Sequence, residues 1–416
     1  MIVLIRVCDA IMGTGKSQSA IAYMNEHPED KFIYITPYLD EASRIKQGCP
    51  QLRFVEPSNR LEKYQYKKCV HTAALIEEGR NITSTHQAFK NYTPAVLESI
   101  RNQGYTLIID ENVDVLEACD FSPGDLQVAL DGGYITEQDG IYSVTEKTYT
   151  GKAFTELFYF MKSRELMRID DGNENLFYWA LPQDLLTSFK DVFILTYLFE
   201  GQSLHHFMEM YKIPYEYIGI EKVDTGTGFR FCKPPGYVPE YVQHLGDMLN
   251  ILDNPKINSI GDSYYALSKN WYDKDKGNAD KLKKNVDNYY NNIYRDIPAD
   301  RRLWATYNGA FSKIKGKGYT KAFLTFNAKA TNKYKNRDCL VYLANIFMNV
   351  NEKKFYQKHG IDIDEDMYAL SIMVQWIWRS AIRDGERVNL YIPSKRMRTL
   401  LMNWIKTTSK GENNFE

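Results

Sequence analysis

The residues best placed to do chemistry stand near the start of the chain, in the run Ala10-Ile11-Met12-Gly13-Thr14-Gly15-Lys16-Ser17. Two glycines let a backbone curl until successive N–H groups point inward, which is how a loop cradles phosphate oxygens. A lysine closing such a loop neutralises the β- and γ-phosphates, and the hydroxyl beside it is a ligand for Mg2+. The pattern is a Walker A loop with alanine in place of its first glycine. ATP and Mg2+ are the expected ligands, with Gly13, Thr14, Gly15, Lys16 and Ser17 around the nucleotide and Ser17 on the metal.

Two further constellations fit the same chemistry. Tyr105-Thr106-Leu107-Ile108-Ile109-Asp110-Glu111-Asn112 is a buried-strand pattern ending in two carboxylates. Asp110 is placed to join Ser17 on Mg2+, and Glu111 to polarise an attacking water as general base. Near the other end of the chain lies Gln375-x-x-x-Arg379-x-x-x-Arg383. If Asp366 to Asp384 is a helix, as its pattern predicts, a spacing of four puts all three side chains on one face. Arginines so placed suit a γ-phosphate.

These groups need a scaffold, and the hydrophobic pattern predicts one. Ile2 to Val7 is an apolar, β-branched run before the loop, and Gln18 to Met24 is helix-forming after it. Lys31 to Thr36, Asn81 to His86 and Asp191 to Thr196 read as further strands, with a helix opening at Tyr38 and another at Gln87. Strands alternating with helices predict a mostly parallel sheet covered on both faces. Ligands then collect at the carboxyl ends of the strands, where Gly13–Ser17, Thr36, Thr85 and Asp110 fall.

Beyond residue 120 the pattern is less regular. Residues 121–150 carry turn signals and read as an insertion, and Ala153 to Met167 as an amphipathic helix. Strand-like segments with Gly and Pro breaks from about 213 predict a boundary, giving domains 1–215 and 216–416. Residues 271–302 read as a solvated helix or loop, Asp338 to Phe347 as a helix, and Arg387 to Ile392 as a last strand. Ser312 to Arg337 holds eight Lys/Arg residues and no acid, interleaved with aromatics. Basic groups neutralise phosphates and aromatic rings stack on bases.

Composition narrows the classes. The 416 residues carry a formal net charge of −1, so nucleic-acid binding would rest on a local patch and not on a global field. Six cysteines without a Cys-x-x-Cys pair argue against a disulfide framework or a standard zinc site. No apolar stretch approaches the roughly 20 residues of a membrane span. A bacterial cytoplasm is the expected location.

Taken together, these motifs resemble those of superfamily 2 helicases and translocases, in the small form of bacteriophages and prophages, and more loosely the helicase part of viral origin-binding proteins. Ala10–Ser17 matches motif I, and Asp110-Glu111-Asn112 is similar to the DExx box. Thr36 to Arg44 resembles motif Ia, Ser84-Thr85-His86 a strand-binding motif, Leu195-Thr196 motif III, Thr325–Asn332 motif V and Gln375 to Arg383 motif VI. Asn112-Val113 and Trp378 depart from the usual residues. The resemblance implies two RecA-like P-loop NTPase domains with parallel β-sheets and ATP in the cleft between them. It implies catalytic roles for Glu111, Gln375, Arg379 and Arg383, and nucleic-acid contacts at Thr36, Arg44, Thr85, Lys329 and Thr331. The implied partner is single- or double-stranded DNA, or RNA, with replication or recombination proteins beside it. The rival readings are a packaging-motor ATPase and an ATP-switched origin or recombination-mediator protein.

Overall fold

The computed structural model describes residues 3–37, 39–138, 140–170, 175–224, 228–274, 277–326 and 333–410. They fall into two compact units. One comprises Met1–Ala10, Gly15–Gly236 and Val350–Asp362, the other Ile11–Thr14, Tyr237–Asn349 and Ile363–Glu416. Both are α/β with parallel sheets, the class expected from the alternation of strands and helices.

The first unit holds β1 (Leu4–Asp9), β2 (Lys31–Thr36), β3 (Ile82–Thr85), β4 (Tyr105–Asp110), β5 (Leu116–Ala118), β6 (Ile135–Gln138), β7 (Ile141–Val144), β8 (Glu165–Asp170), β9 (Asn175–Ala180), β10 (Asp191–Thr196), β11 (Tyr215–Tyr217), β12 (Gly219–Lys222) and β13 (Phe229–Cys232). Its main sheet has the order β11-β1-β10-β4-β2-β3, and every pairing in it is parallel. β4 and β10 sit in the middle and are buried on both faces, which is why they read as near-continuous apolar runs. The unit runs past residue 215 because β11 pairs with β1 and extends that sheet.

An antiparallel sheet, β5-β9-β8-β7-β6, is inserted between β4 and β10. Here the expected helix over Ala153 to Met167 is corrected. Only Thr155–Phe160 is helical, and β8 begins at Glu165. Pairing with β9 along the whole length of β8, with Leu166 fully buried, overrides the local helical preference. Glu117 on β5 takes Lys90 at 2.7 Å and also Arg164, two nearly buried cations on one carboxylate.

The second unit is built on β14 (Leu249–Ile251), β15 (Arg302–Ala305), β16 (Cys339–Tyr342) and β17 (Val388–Tyr391), parallel in the order β14-β17-β16-β15. The helix expected over Asp338 to Phe347 is therefore a strand at its start. Cys339 to Ala344 are fully buried without a polar face, a pattern that a helix segment and a two-sided strand share. Residues 271–302 are not simply solvated either. The helix Asn278–Asn288 and the turn after it bury Tyr289 and Tyr290 completely, and the Tyr290 hydroxyl donates to the Leu303 carbonyl at 2.8 Å.

The arginine motif needs the largest correction. The helix Glu365–Ile377 stops before Arg379, so Gln375, Arg379 and Arg383 do not share one helix face. Arg379 N–H bonds to the Trp376 carbonyl in a tightened last turn, and Ser380 adopts an extended backbone. The Ser380 hydroxyl takes up the Ile377 carbonyl at 2.6 Å, and Ala381 N–H turns instead to the carbonyl of Arg337. Trp378, almost fully buried, anchors the turn where the helix ends.

Gly261 lies against the backbone of β17's exit: a Cβ there would stand 2.0 Å from the Pro393 carbonyl oxygen. Gly261→Ala is expected to cost about 1–3 kcal/mol, the usual range for forcing a methyl into filled space. A urea unfolding curve followed by tryptophan fluorescence measures it.

Candidate active site

The loop after β1 is shaped by its glycines. Gly13 and Gly15 have φ of +89° and +94°, a region that only glycine enters without strain. A Cβ on Gly15 would also stand 2.5 Å from the Phe229 ring, so close approach forbids a side chain there. Thr14 Oγ1 donates to the Ile11 carbonyl at 2.8 Å and Ser19 Oγ to the Gly15 carbonyl at 3.1 Å, stapling the turn to itself. The helix Lys16–Glu26 starts directly at the loop, with no side-chain cap and no acid in its first turn. Its positive end is matched by no carboxylate of its own first turn.

Lys16 folds back and donates from Nζ to the Ala10 carbonyl. Burial lowers its pKa, against the opposing pull of Cys8, Asp110, Asp9 and Glu111. Ser17 points the other way. Its hydroxyl donates to Asp110 Oδ2 at 3.0 Å, across 93 residues of sequence. The Tyr34 hydroxyl donates to the same oxygen at 2.7 Å. His86 Nε2 lies 2.9 Å from the Asp110 carbonyl, which only accepts, so that nitrogen carries the proton. Burial raises the Asp110 pKa and repulsion from Glu111 adds to it, while the two hydroxyls hold it down.

Glu111 follows with φ of +65°, a left-handed backbone in a residue with a full side chain. That conformation costs about 1–2 kcal/mol and is held by its N–H on the Leu195 carbonyl at 3.0 Å. Strain of this kind gathers at functional sites. On the neighbouring strand, Thr196 Oγ1 donates to Gln202 Oε1 at 2.8 Å. Asp9 closes the group, its two oxygens accepting the N–H groups of Leu198 and Phe199 at 2.8 and 2.9 Å.

The structure thus brings together Gly15, Lys16, Ser17, Asp110 and Glu111 at the carboxyl edge of the first sheet, while Gly13 and Thr14 lie in the stretch Ile11–Thr14 that is grouped with the other unit. Thr36 is there too but fully buried, and Thr85 caps the short helix His86–Phe89 by accepting from Ala88 N–H at 3.3 Å. Arg44 is exposed enough to reach solvent and pairs with Glu41 at 3.0 Å. In the second unit Arg379 is buried, whereas Gln375 and Arg383 are half-buried. Lys329 and Thr331 lie outside the described residues.

Sequence reasoning missed Tyr34, Asp9 and Gln202. The period-two alternation of β2, which sets Tyr34 on the same face as Thr36, was the available signal for the first. It also missed an aromatic step in the second unit. Tyr264 and Tyr265 are 56% and 65% exposed, with ring centroids 4.9 Å apart, and Tyr265 lies 5.5 Å from Phe347. Arg396 backs it, its guanidinium 4.4 Å over the Phe347 ring and bonded to Asn345 Oδ1 and the Ile346 carbonyl. Exposed rings beside an arginine suit stacking on bases.

Over 411 residues the chain is 37% identical to the SPbeta prophage-derived uncharacterized protein YonV of Bacillus subtilis (strain 168), covering 97% of this chain and 98% of that one. Residues 243–405 match the family model of the YonV C-terminal Rossmann-like domain. A solved structure of an XPD helicase aligns over 98% of this chain and 95% of its own, with 10% identity and a TM-score of 0.42. Among the described residues no helix is long and apolar enough to cross a membrane.

Asp9 gives this site a pH signature. Burial is the largest influence on it and lifts its pKa from 3.8 to about 6, against the two backbone N–H groups. The folded chain therefore holds this proton to higher pH than the unfolded chain. Its contribution to stability is full below about 3.8 and is lost as pH rises through about 6. The urea midpoint of wild type relative to that of Asp9→Asn is expected to fall across that window and to level off above it. Denaturation curves at stepped pH on both proteins check this.

Proposed function

The chain belongs to the YonV family, and we propose that it is an ATP-dependent enzyme of nucleic acids, a helicase or translocase serving DNA replication, recombination or repair in a phage or prophage. The observation that supports this reading best is the hydrogen bond from Ser17 to Asp110. A hydroxyl from the glycine loop and a carboxylate from a strand end meet, although 93 residues separate them. Both are hard oxygen donors of the kind Mg2+ prefers. Tyr34 holds the same carboxylate from the adjacent strand β2.

The residues fit the nucleotide as well as the metal. Gly13 and Gly15 let the loop take the left-handed turns that a phosphate cradle needs, Lys16 supplies charge, and the uncapped helix adds its positive end. Bound Mg2+ would neutralise charge that develops between the phosphates. Glu111 takes the proton of an attacking water, and its left-handed backbone fixes where that carboxylate starts from. Arg379 and Arg383 are proposed for the γ-phosphate, with Gln375 beside it. They would act from two different turns and not from one helix face. Arg44, Thr85, Lys329 and Thr331 are proposed on the nucleic acid, together with the exposed Tyr264–Tyr265 step.

Steady-state ATP hydrolysis, measured alone and with single-stranded DNA, duplex DNA or RNA, tests the reading. Wild type is expected to hydrolyse ATP, and one nucleic acid is expected to stimulate it. Lys16→Ala and Glu111→Gln are expected to lose at least about a hundredfold, and Arg379→Ala about 10³-fold, within the range of arginine-finger losses. Hydrolysis that needs these residues but ignores every nucleic acid would favour an ATP-switched binding protein. No hydrolysis by a folded wild type under any condition would overturn the enzyme.

In the same preparations, Tyr265→Ala is expected to weaken single-stranded DNA binding by about 1–3 kcal/mol, the cost of one lost base stack. Fluorescence anisotropy of a labelled oligonucleotide reads it. Unchanged affinity would remove the aromatic step from the path of the strand.

A further inference from the structure

The helix Ser203–Met210 follows the turn that leaves β10, and it carries two adjacent histidines and a glutamate, His205, His206 and Glu209. Spacings of four and three residues bring Glu209 under both imidazoles. Its Oε2 stands 3.4 Å from His205 Nδ1 and 3.5 Å from His206 Nδ1. One ligand atom from each of the three residues lies within 4.8 Å of the other two. We propose that His205 Nδ1, His206 Nδ1 and a Glu209 carboxylate oxygen form a binding site for one divalent transition-metal ion, of which Zn2+ is the best-suited.

The distances carry this. Metal–nitrogen and metal–oxygen bonds of about 2.0–2.2 Å in a tetrahedral site put neighbouring ligand atoms about 3.4 Å apart. Both histidine–glutamate distances match that edge. They are also long for hydrogen bonds, and His205 Nδ1 is buried with no hydrogen-bond partner among the described atoms. Leaving a buried ring nitrogen unbonded costs free energy, and a cation between nitrogen and carboxylate would recover it. Two imidazoles and a carboxylate favour zinc over the oxygen-seeking Mg2+ and Ca2+.

The surroundings are shaped accordingly. The imidazoles are nearly buried, while the Glu209 side chain is 43% exposed, so the site opens to solvent through its carboxylate. A water would take the fourth position, as in other three-ligand sites. The rings are held from behind. His206 packs edge-on against Tyr356 at 5.5 Å, and the Tyr356 hydroxyl donates to the Ser203 carbonyl at 3.2 Å. His205 packs against Phe199 at 5.2 Å. Rings fixed by packing before the ion arrives reduce the ordering that binding must supply.

The test uses the full chain, stripped with a chelator and dialysed. Isothermal titration with ZnCl2 is expected to show one saturable equivalent, weakened at least tenfold in Glu209→Gln and in the double variant His205→Asn, His206→Asn. Co2+ in place of Zn2+ is expected to give tetrahedral d–d bands without a thiolate charge-transfer band, which separates this site from the cysteines. Zn2+ is expected to raise the melting temperature of wild type but not of Glu209→Gln, whose half-exposed position keeps that variant folded. Absence of saturable binding by wild type would overturn the site. So would Zn2+ affinity unchanged in both variants. None of these readouts passes through ATP, so their failure leaves the hydrolysis reading standing.

Discussion

The first unit depends on one buried carboxylate. Asp110 ends the central strand β4, where a charged oxygen is costly unless donors meet it. Two do, Ser17 from the glycine loop and Tyr34 from β2, while His86 holds the carbonyl of the same residue. These contacts draw on four separate stretches of the chain. Each arrives at the carboxyl edge of the parallel sheet, and that edge exists only because β1, β2 and β4 run the same way. The parallel sheet thus gathers donors from distant stretches onto one acid at its carboxyl edge.

Satisfying it leaves a residue of strain next door. Glu111 turns left-handed immediately after Asp110, and its N–H is captured by β10. The chain then leaves the sheet toward the inserted antiparallel strands. Glu117 holds Lys90 and Arg164, and Lys90 directly follows the helix that begins with His86. The insertion is therefore tied to the same short segment that touches Asp110. A charged pair buried this way is weak evidence for stability, since its desolvation offsets its attraction. It does join β5 to the residue that follows the helix His86–Phe89.

What the sequence made legible was whatever local pattern alone determines. The strand–loop–helix at the start of the chain and the strand ending in Asp110 were readable because glycine positions and apolar runs specify them without help from afar. The alternation of β2 sets Tyr34 on the face of Thr36, but its bond to Asp110 is not legible, because a tyrosine in a buried strand looks the same whether or not its hydroxyl finds a carboxylate. β8 and β16 were read as helix because pairing partners, not their own residues, decide them. The turn at Trp378 was missed for a related reason. A run with helical spacing continues on paper, but Ser380 takes up the Ile377 carbonyl and Ala381 N–H turns to Arg337, and the periodicity stops meaning anything there.

The turn after β10 links two features that the sequence keeps apart. On one side Asp9, from β1, accepts the N–H groups of Leu198 and Phe199. On the other, Gln202 bridges Thr196 Oγ1 and the Tyr197 carbonyl at 2.8 Å each. The turn is clamped from both ends, and the helix bearing His205, His206 and Glu209 starts at the next residue, Ser203. Leu198 sits left-handed within it, a conformation that survives only where its surroundings over-determine it. An ion on that helix would add a third clamp to a segment whose other end bears on the residue preceding the glycine loop. Asp9 directly precedes Ala10, whose carbonyl receives Lys16. Direct hydrogen bonds and peptide links thus join the start of that helix to the carbonyl that holds the loop lysine.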